Sequence, residues 1–270
     1  MTLKYRLKDE EIDRRLRKPP LPTSLPPAIE REVEETLRRR SGLISKYARE
    51  QVMVEDIQRL RPGQWLNDEI INFYGALILG RSESGQENQN PRSKGVPGKN
   101  ILDVHYFSSF FWSKLTDSGY QAGRLAKWTK KFDIFAKDAV LIPVNHSNFH
   151  WTSACINFRR KRIESYDSMG MPRKHVFTHL REYLDAEHRN KKKKPFDFTG
   201  WEDCSRMCNN YSMQDIPQQE NGFDCGVFTC QFLEALSRGE EQFSFTQEDM
   251  PYLRRRMVWE ILHARLRDEP

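Results

Sequence analysis

Apolar residues recur along this chain with different periods, and the periods predict its elements. From Asn67 onward Ile70, Phe73, Tyr74, Leu77 and Ile78 fall three or four residues apart, which places them on one face of a helix, and Asn67 stands where an N-cap belongs. Between 139 and 168 the pattern changes. An apolar run at 139–144, a second at 151–158, the charged turn 159–162 and a third run at 163–168 describe an antiparallel meander with one face buried. The stretch 225–236 is apolar enough for a buried helix, with Gly239 as its stop. Weaker signals predict a helix over 28–52, whose glutamates come early and arginines late. They also predict a strand at 101–107, helical segments at 110–115 and 123–135, a helix over 173–188 and a short strand at 211–213. Thr246-Gln247-Glu248-Asp249 resembles a capping box that opens a last helix to about 266, with Met257, Ile261 and Leu262 on its apolar face.

Between these elements lie polar stretches. Residues 19–27 hold five prolines and read as an extended linker. Residues 81–100 are rich in Gly, Ser, Asn and Gln and read as a flexible insertion. The lysine run at 191–194 reads as a solvated break. The expected organisation is a charged, Pro-containing arm over 1–45 and one domain over 46–270.

Composition narrows the class. The chain has 270 residues with 37% hydrophobic content, enough for a sizeable core. No apolar run approaches the ~18 residues of a membrane span, and residues 1–17 lack the apolar centre of a signal peptide. Net charge is +6, and residues 1–50 hold thirteen Lys and Arg against nine Asp and Glu. That basic arm fits an acidic partner in principle; a solvated arm accounts for it as well. Five cysteines, an odd number without a dense framework, point to free thiols in a reducing compartment. Cys204 and Cys208 lack two further ligands at zinc spacing, so no metal and no cofactor is expected.

One stretch brings reactive groups together. His150 begins a predicted strand and Asp167 ends its neighbour, so a hairpin turning near Arg160 unites an imidazole with a carboxylate. Cys225 opens the apolar helix, where the helix dipole favours a thiolate. Gly226 beside it would let a substrate backbone approach. Cys155 and Cys230 read as core. His146, four residues before His150, is the competing base, but it has no matched carboxylate. Together these residues offer the nucleophile, base and orienter of thiol catalysis.

The motifs that carry this set resemble the Ulp/SENP family of SUMO-specific cysteine proteases. They are Trp65-Leu66-Asn67-Asp68, Ile71-Asn72-Phe73-Tyr74, Gly119-Tyr120, His150-Trp151, Tyr166-Asp167-Ser168-Met169-Gly170, the run Ile216-Pro217-Gln218-Gln219 through Asn221-Gly222 to Asp224-Cys225-Gly226, and Met257-Val258-Trp259-Glu260-Ile261-Leu262. The resemblance implies an α+β, papain-like cysteine protease fold of the Ulp/adenain type, with a central, mostly antiparallel sheet flanked by helices. It implies His150 as general base, Asp167 as orienter, Cys225 as nucleophile and Gln219 as the oxyanion-hole side chain. It further implies Trp65 and Trp151 as an aromatic pair over the modifier's C-terminal Gly-Gly, and Asp68 on the surface that receives the modifier's body. The implied partners are SUMO, its precursors and SUMO-conjugated proteins, bound by a monomer with no obligate nucleic acid and no membrane span. The implied location is the nucleus or nuclear envelope, in a module that family members carry at the C-terminal end of a longer chain. Competing readings are a deneddylase of the same family, a non-catalytic SUMO-binding module, and a nucleic-acid binder acting through the basic arm.

Overall fold

The computed structural model describes residues 20–87, 101–205, 207–208, 213–214, 216–240 and 242–267. The charged arm before Pro20, most of the 81–100 insertion and most of the strand expected at 211–213 lie outside them.

Helix α1 (Pro27–Arg38) is followed by a hairpin of β1 (Leu43–Tyr47) and β2 (Glu50–Met53), a short helix α2 (Val54–Ile57) and the long helix α3 (Asp68–Glu87). The helix expected over 28–52 therefore stops at 38. Gly42 takes φ +102° and Ala48 φ +51°, conformations that end a helix and turn a hairpin. Ile44 and Val52 are then buried in the core. Val33 and Leu37 of α1 pack into the same core, and Arg255 pairs with Glu30 and Glu34. The domain boundary expected at 45 thus falls inside the packed body. α3 also runs seven residues into the expected insertion, with Ser82 buried and Arg81 bonded to Glu234 at 2.5 Å.

The centre is a five-stranded sheet. β3 (Val104–Tyr106) precedes helix α4 (Phe110–Ala122). Next come β4 (Ala139–His146), β5 (His150–Asn157) and β6 (Arg162–Tyr166), then helix α5 (Lys174–Lys192) and β7 (Glu202–Cys204). Strand order is β3-β4-β5-β6-β7. The meander β4-β5-β6 is antiparallel as its pattern predicts, whereas the edge strands β3 and β7 pair in parallel, which makes the sheet mixed. A small ladder joins β8 (Met207–Cys208) to β9 (Met213–Gln214).

Both faces of the sheet are covered, not one. All eight residues of β5 are buried. Val140, Ile142, Ala154 and Ile156 pack with α4 and α5 on one side; Ala139, Leu141, Trp151 and Cys155 pack on the other with α3, helix α6 (Cys225–Ser237) and helix α7 (Met250–Leu262). Every residue of α6 is buried, as an all-round apolar sequence requires. The segment expected as a helix over 123–135 contains two short 3-10 turns at Leu125–Lys127 and Ile134–Ala136. Thr246 opens such a turn through a capping box, and α7 follows it. Asn67 caps α3, its Oδ1 accepting from the Ile70 N–H at 3.3 Å.

Candidate active site

Register brings His150 and Asp167 together. β5 and β6 pair Ser153 with Tyr166. One step further along that ladder Asp167 stands across from Thr152, and His150 is its next neighbour on the same face. His150 Nε2 lies 2.6 Å from Asp167 Oδ1. The carboxylate is 3% exposed and is saturated: the Met169 N–H donates to Oδ1 at 2.8 Å and Arg173 Nε to Oδ2 at 2.6 Å. Burial works against its charge, but the bonds from His150, Met169 and Arg173 outweigh it and hold the carboxyl below its ordinary pKa. Burial likewise opposes charge on His150. The hydrogen bond with Asp167 and the Cys225 sulfur beside the ring, with their negative charge, prevail and raise the imidazole to about 9. His150 therefore carries its proton at neutral pH. Nε2 is committed to Asp167, which leaves the buried Nδ1 for the Cys225 thiol.

Cys225 sits at the first position of α6 and is 1% exposed. The turn before it is wound by Asn221, whose Oδ1 accepts from the N–H groups of Phe223 and Asp224, each at 3.0 Å. A thiol at such a helix start, beside an imidazolium, has the surroundings of a nucleophile. Cys155 and Cys230 are buried in the apolar core. Burial pushes Cys155 and Cys230 up, away from thiolate. The competing base is also placed: His146 Nε2 lies 2.9 Å from Thr152 Oγ1, and burial, with Arg173, His175 and His150 nearby, lowers it to about 4.

Gln219 is clamped on three sides. Its N–H donates to the Ser168 carbonyl at 2.8 Å, its Oε1 accepts from Ser168 Oγ at 2.7 Å, and its amide nitrogen donates to the Asn221 carbonyl. One amide hydrogen remains for a substrate oxygen. Gly170, at φ +70°, shapes the turn beneath; a Cβ there would stand 2.8 Å from Gln218 Oε1.

A helix-borne thiol, a strand-borne imidazole and a buried carboxylate in this order agree with the family comparison. The model of the Ulp1 protease family's C-terminal catalytic domain matches residues 64–266. The chain belongs to the Ulp1 protease family. Among curated relatives, a sentrin-specific protease of Caenorhabditis elegans is 42% identical over 216 residues, 80% of this chain and 28% of that protein. Human sentrin-specific protease 2 is 38% identical over 213 residues, 78% of this chain and 32% of the relative. The chain thus spans about a third of the length of the curated relatives it matches. The catalytic domain of a Chaetomium thermophilum Ulp1-like SUMO protease superposes with a TM-score of 0.74 at 23% identity, over 92% of this chain and 95% of that one. The α+β Ulp-type fold implied by the motifs is the fold observed.

The remaining predicted residues of this Ulp1-family cleft divide. Trp65 is 39% exposed, while Trp151 is buried with its indole N–H bonded to the Leu66 carbonyl at 3.1 Å. Asp68 opens α3 and accepts from Ser109 Oγ at 2.5 Å, on the wall of a pocket of about 630 Å³. Gly226 has a packing neighbour. A Cβ on it would meet Leu66 Cβ at 2.8 Å, so its bare face receives the Leu66 side chain.

Sequence patterns missed Arg173 and Ser168, which orient Asp167 and Gln219, and above all Arg254. Arg254 is 3% exposed. It pairs with the buried Asp224 at 2.7 Å. It also donates to the carbonyls of Arg59, Arg61, Gln64 and Phe223 at 2.8–3.1 Å. One guanidinium thus ties the loop leading to Trp65 to the turn leading to Cys225. Three consecutive arginines at 254–256 offered no signal for which one is buried in this role.

Proposed function

We propose that this domain is a cysteine protease and isopeptidase that cleaves after the C-terminal Gly-Gly of SUMO, freeing target lysines and maturing SUMO precursors. The observation that carries the reading is the His150 ring, with Nε2 2.6 Å from Asp167 Oδ1, set beside the Cys225 thiol at its helix start. Family membership and the sentrin-specific names of the curated relatives support the substrate.

The chemistry follows from the protonation states. The thiolate is the attacking form of a cysteine, and His150, raised to about 9, is the group that holds a proton beside it. The thiolate attacks the carbonyl carbon after Gly-Gly, and the oxyanion is met by the free Gln219 amide hydrogen and the Cys225 N–H. His150 gives its proton to the departing amine, the C–N bond breaks and a thioester remains. His150, now neutral, takes a proton from water, whose oxygen attacks the thioester; the thiolate leaves and the pair is restored. Asp167 keeps the ring oriented and its charge supported throughout. Trp65, exposed and next in sequence to the Leu66 whose carbonyl holds Trp151, is the aromatic surface available to a Gly-Gly tail, which no side chain would widen. Asp68 stands on the face assigned to the modifier's body. The domain acts as a monomer, and its basic character supports a nuclear location, which a tagged full-length protein excluded from nuclei would overturn.

The test is hydrolysis of a fluorogenic SUMO C-terminal amide, with ubiquitin and neddylation-modifier amides alongside. Wild type is expected to cleave the SUMO substrate selectively, and Cys225→Ala to lose about 10⁴-fold or more in rate while still binding SUMO. Preference for another modifier would overturn the substrate assignment. Equal turnover by Cys225→Ala would overturn the nucleophile.

A further inference from the structure

The end of α5 away from the cleft lies in a surface that catalysis does not use. Segments 124–133 and 188–194 together hold nine Lys and Arg and one acidic residue, Asp133. They are braced against each other. Lys191 Nζ donates to the carbonyls of Thr129 and Phe132 at 2.8 and 2.9 Å, and Lys192 Nζ pairs with Asp133 at 2.6 Å. Arg189 pairs with Asp185 at 2.7 Å. The solvated break expected at the lysine run is thus partly a helix end: α5 continues through Lys192 because two of its lysines find partners.

Those bonds leave Arg124, Lys127, Lys130, Lys131, Lys193 and Lys194 exposed, and none of the six has an acidic partner within ion-pair distance among the described residues. Cations at the last turn of a helix complement its dipole, which accounts for the lysines of α5. It does not account for the four cations on the facing 124–131 segment. Position separates this surface from the active site. Arg173, which touches Asp167, immediately precedes α5, and a helix of 19 residues spans ~28 Å at ~1.5 Å per residue.

The chemistry of the patch selects its partner. Among the described residues the exposed large apolar ones are Leu43, Trp65, Phe110, Phe149, Met169 and Met171, and none belongs to these segments. Protein interfaces centre on desolvated aromatic and aliphatic anchors. A braced surface of unpaired cations without such an anchor matches a phosphate backbone, where charge neutralisation and counterion release supply the affinity. We propose that this face is a sequence-independent nucleic-acid-binding surface, independent of the catalytic cleft.

Fluorescence anisotropy of a labelled 20-base-pair duplex, titrated with the full 270-residue chain between 50 and 200 mM salt, tests it. The variant reverses exposed charges only: Lys127→Glu, Lys130→Glu, Lys131→Glu and Lys194→Glu. Expected results are affinity at least ~10-fold weaker and a salt slope (log K against log salt) reduced by ~0.9 for each phosphate no longer neutralised. Hydrolysis of the SUMO amide should stay at the wild-type rate. Four results would each overturn the proposal: no duplex binding by wild type at 50 mM salt; affinity and slope unchanged by the reversals; binding lost only when Arg14, Arg15, Arg17 and Lys18 of the arm are reversed instead; or polyglutamate displacing the duplex as well as unlabelled DNA of equal charge, which would make the partner an acidic protein.

Discussion

The two walls of the cleft are built on opposite principles. The wall that carries His150 and Asp167 is a hairpin whose register alone sets the pair on one face. The wall that carries Trp65, Gln219 and Cys225 is made of loops and a helix start. Its geometry depends on one buried guanidinium that reaches back from α7 to four carbonyls and a carboxylate. The first wall is local and periodic. The second is long-range and ionic. The contrast teaches that strand register places the acid–base half of the site, whereas the nucleophile half depends on the docked C-terminal helix.

If Asp167 is the main support of the His150 proton, removing its charge should damage chemistry without loosening the second wall. Asp167→Asn is expected to lower kcat by about 10³–10⁴-fold, as loss of an orienting carboxylate does elsewhere, with KM little changed. The pH profile supplies the sign. In wild type the imidazolium persists up to about 9, so kcat/KM should fall on the alkaline side near that value. Without the carboxylate the proton leaves earlier, and the alkaline limb moves down. Stability follows the same linkage. The raised His150 contributes stability that is complete below the ordinary histidine pKa of ~6.5 and is lost as pH rises through about 9. The lowered Asp167 contributes stability that is present above the ordinary ~3.9 and is lost as pH falls through its folded value. An alkaline limb that does not move would break the claim that Asp167 holds the proton on His150.

The same contrast explains what the sequence disclosed. The Asn67 cap, the β4-β5-β6 meander, the helix at Cys225 and the Thr246 box are signals within a few residues of each other, so pattern reveals them. Residues 28–52 misled because charge order favours a helix, while Gly42, Ala48 and the burial of Ile44 and Val52 decide for a hairpin. The lysines at 191–192 read as solvated until the carbonyls of Thr129 and Phe132, about sixty residues away, are seen beneath them. Gly226 read as room for a substrate because its neighbour Leu66 lies far off in sequence. Arg254 is bonded to Arg59, Arg61 and Gln64 across some 190 residues, a relation without period or motif.

The second wall is tested by removing its tie. Arg254→Met fills similar space but leaves Asp224 as a buried carboxylate without its cation. That should cost about 3–5 kcal/mol of stability, measured by urea unfolding. Combining it with Asp224→Asn should recover part of the loss, since the orphaned charge is gone. Below the unfolding range the single variant should also show a raised KM and a lowered kcat together, because both the Trp65 loop and the Cys225 turn are released. The alkaline limb near pH 9 should move less than in Asp167→Asn, since Asp167 stays against His150 and only the support from Cys225 is loosened. A limb shifted as far as in Asp167→Asn would mean that the contrast is false.

The smallest expected effect concerns the seam between the walls. Leu66 is 4% exposed, fills the bare face of Gly226, and its carbonyl holds the Trp151 indole that comes from β5. Gly226→Ala inserts a methyl 2.8 Å from Leu66 Cβ, closer than such atoms approach, so Leu66 must shift or α6 must back away. Overpacking of this kind costs about 1–3 kcal/mol. Two readings of the glycine then diverge. If it serves packing, Leu66→Ala in the same chain makes room, and the double variant should be no less stable than Leu66→Ala alone, with a KM for the SUMO amide equal to that of Leu66→Ala. If it serves substrate approach, the added methyl still blocks the tail, and KM should stay elevated however much space Leu66 yields. The van der Waals gap between Gly226 and Leu66 is already closed in the folded domain, so the packing result is expected, and the seam is a joint between the walls rather than an opening in them.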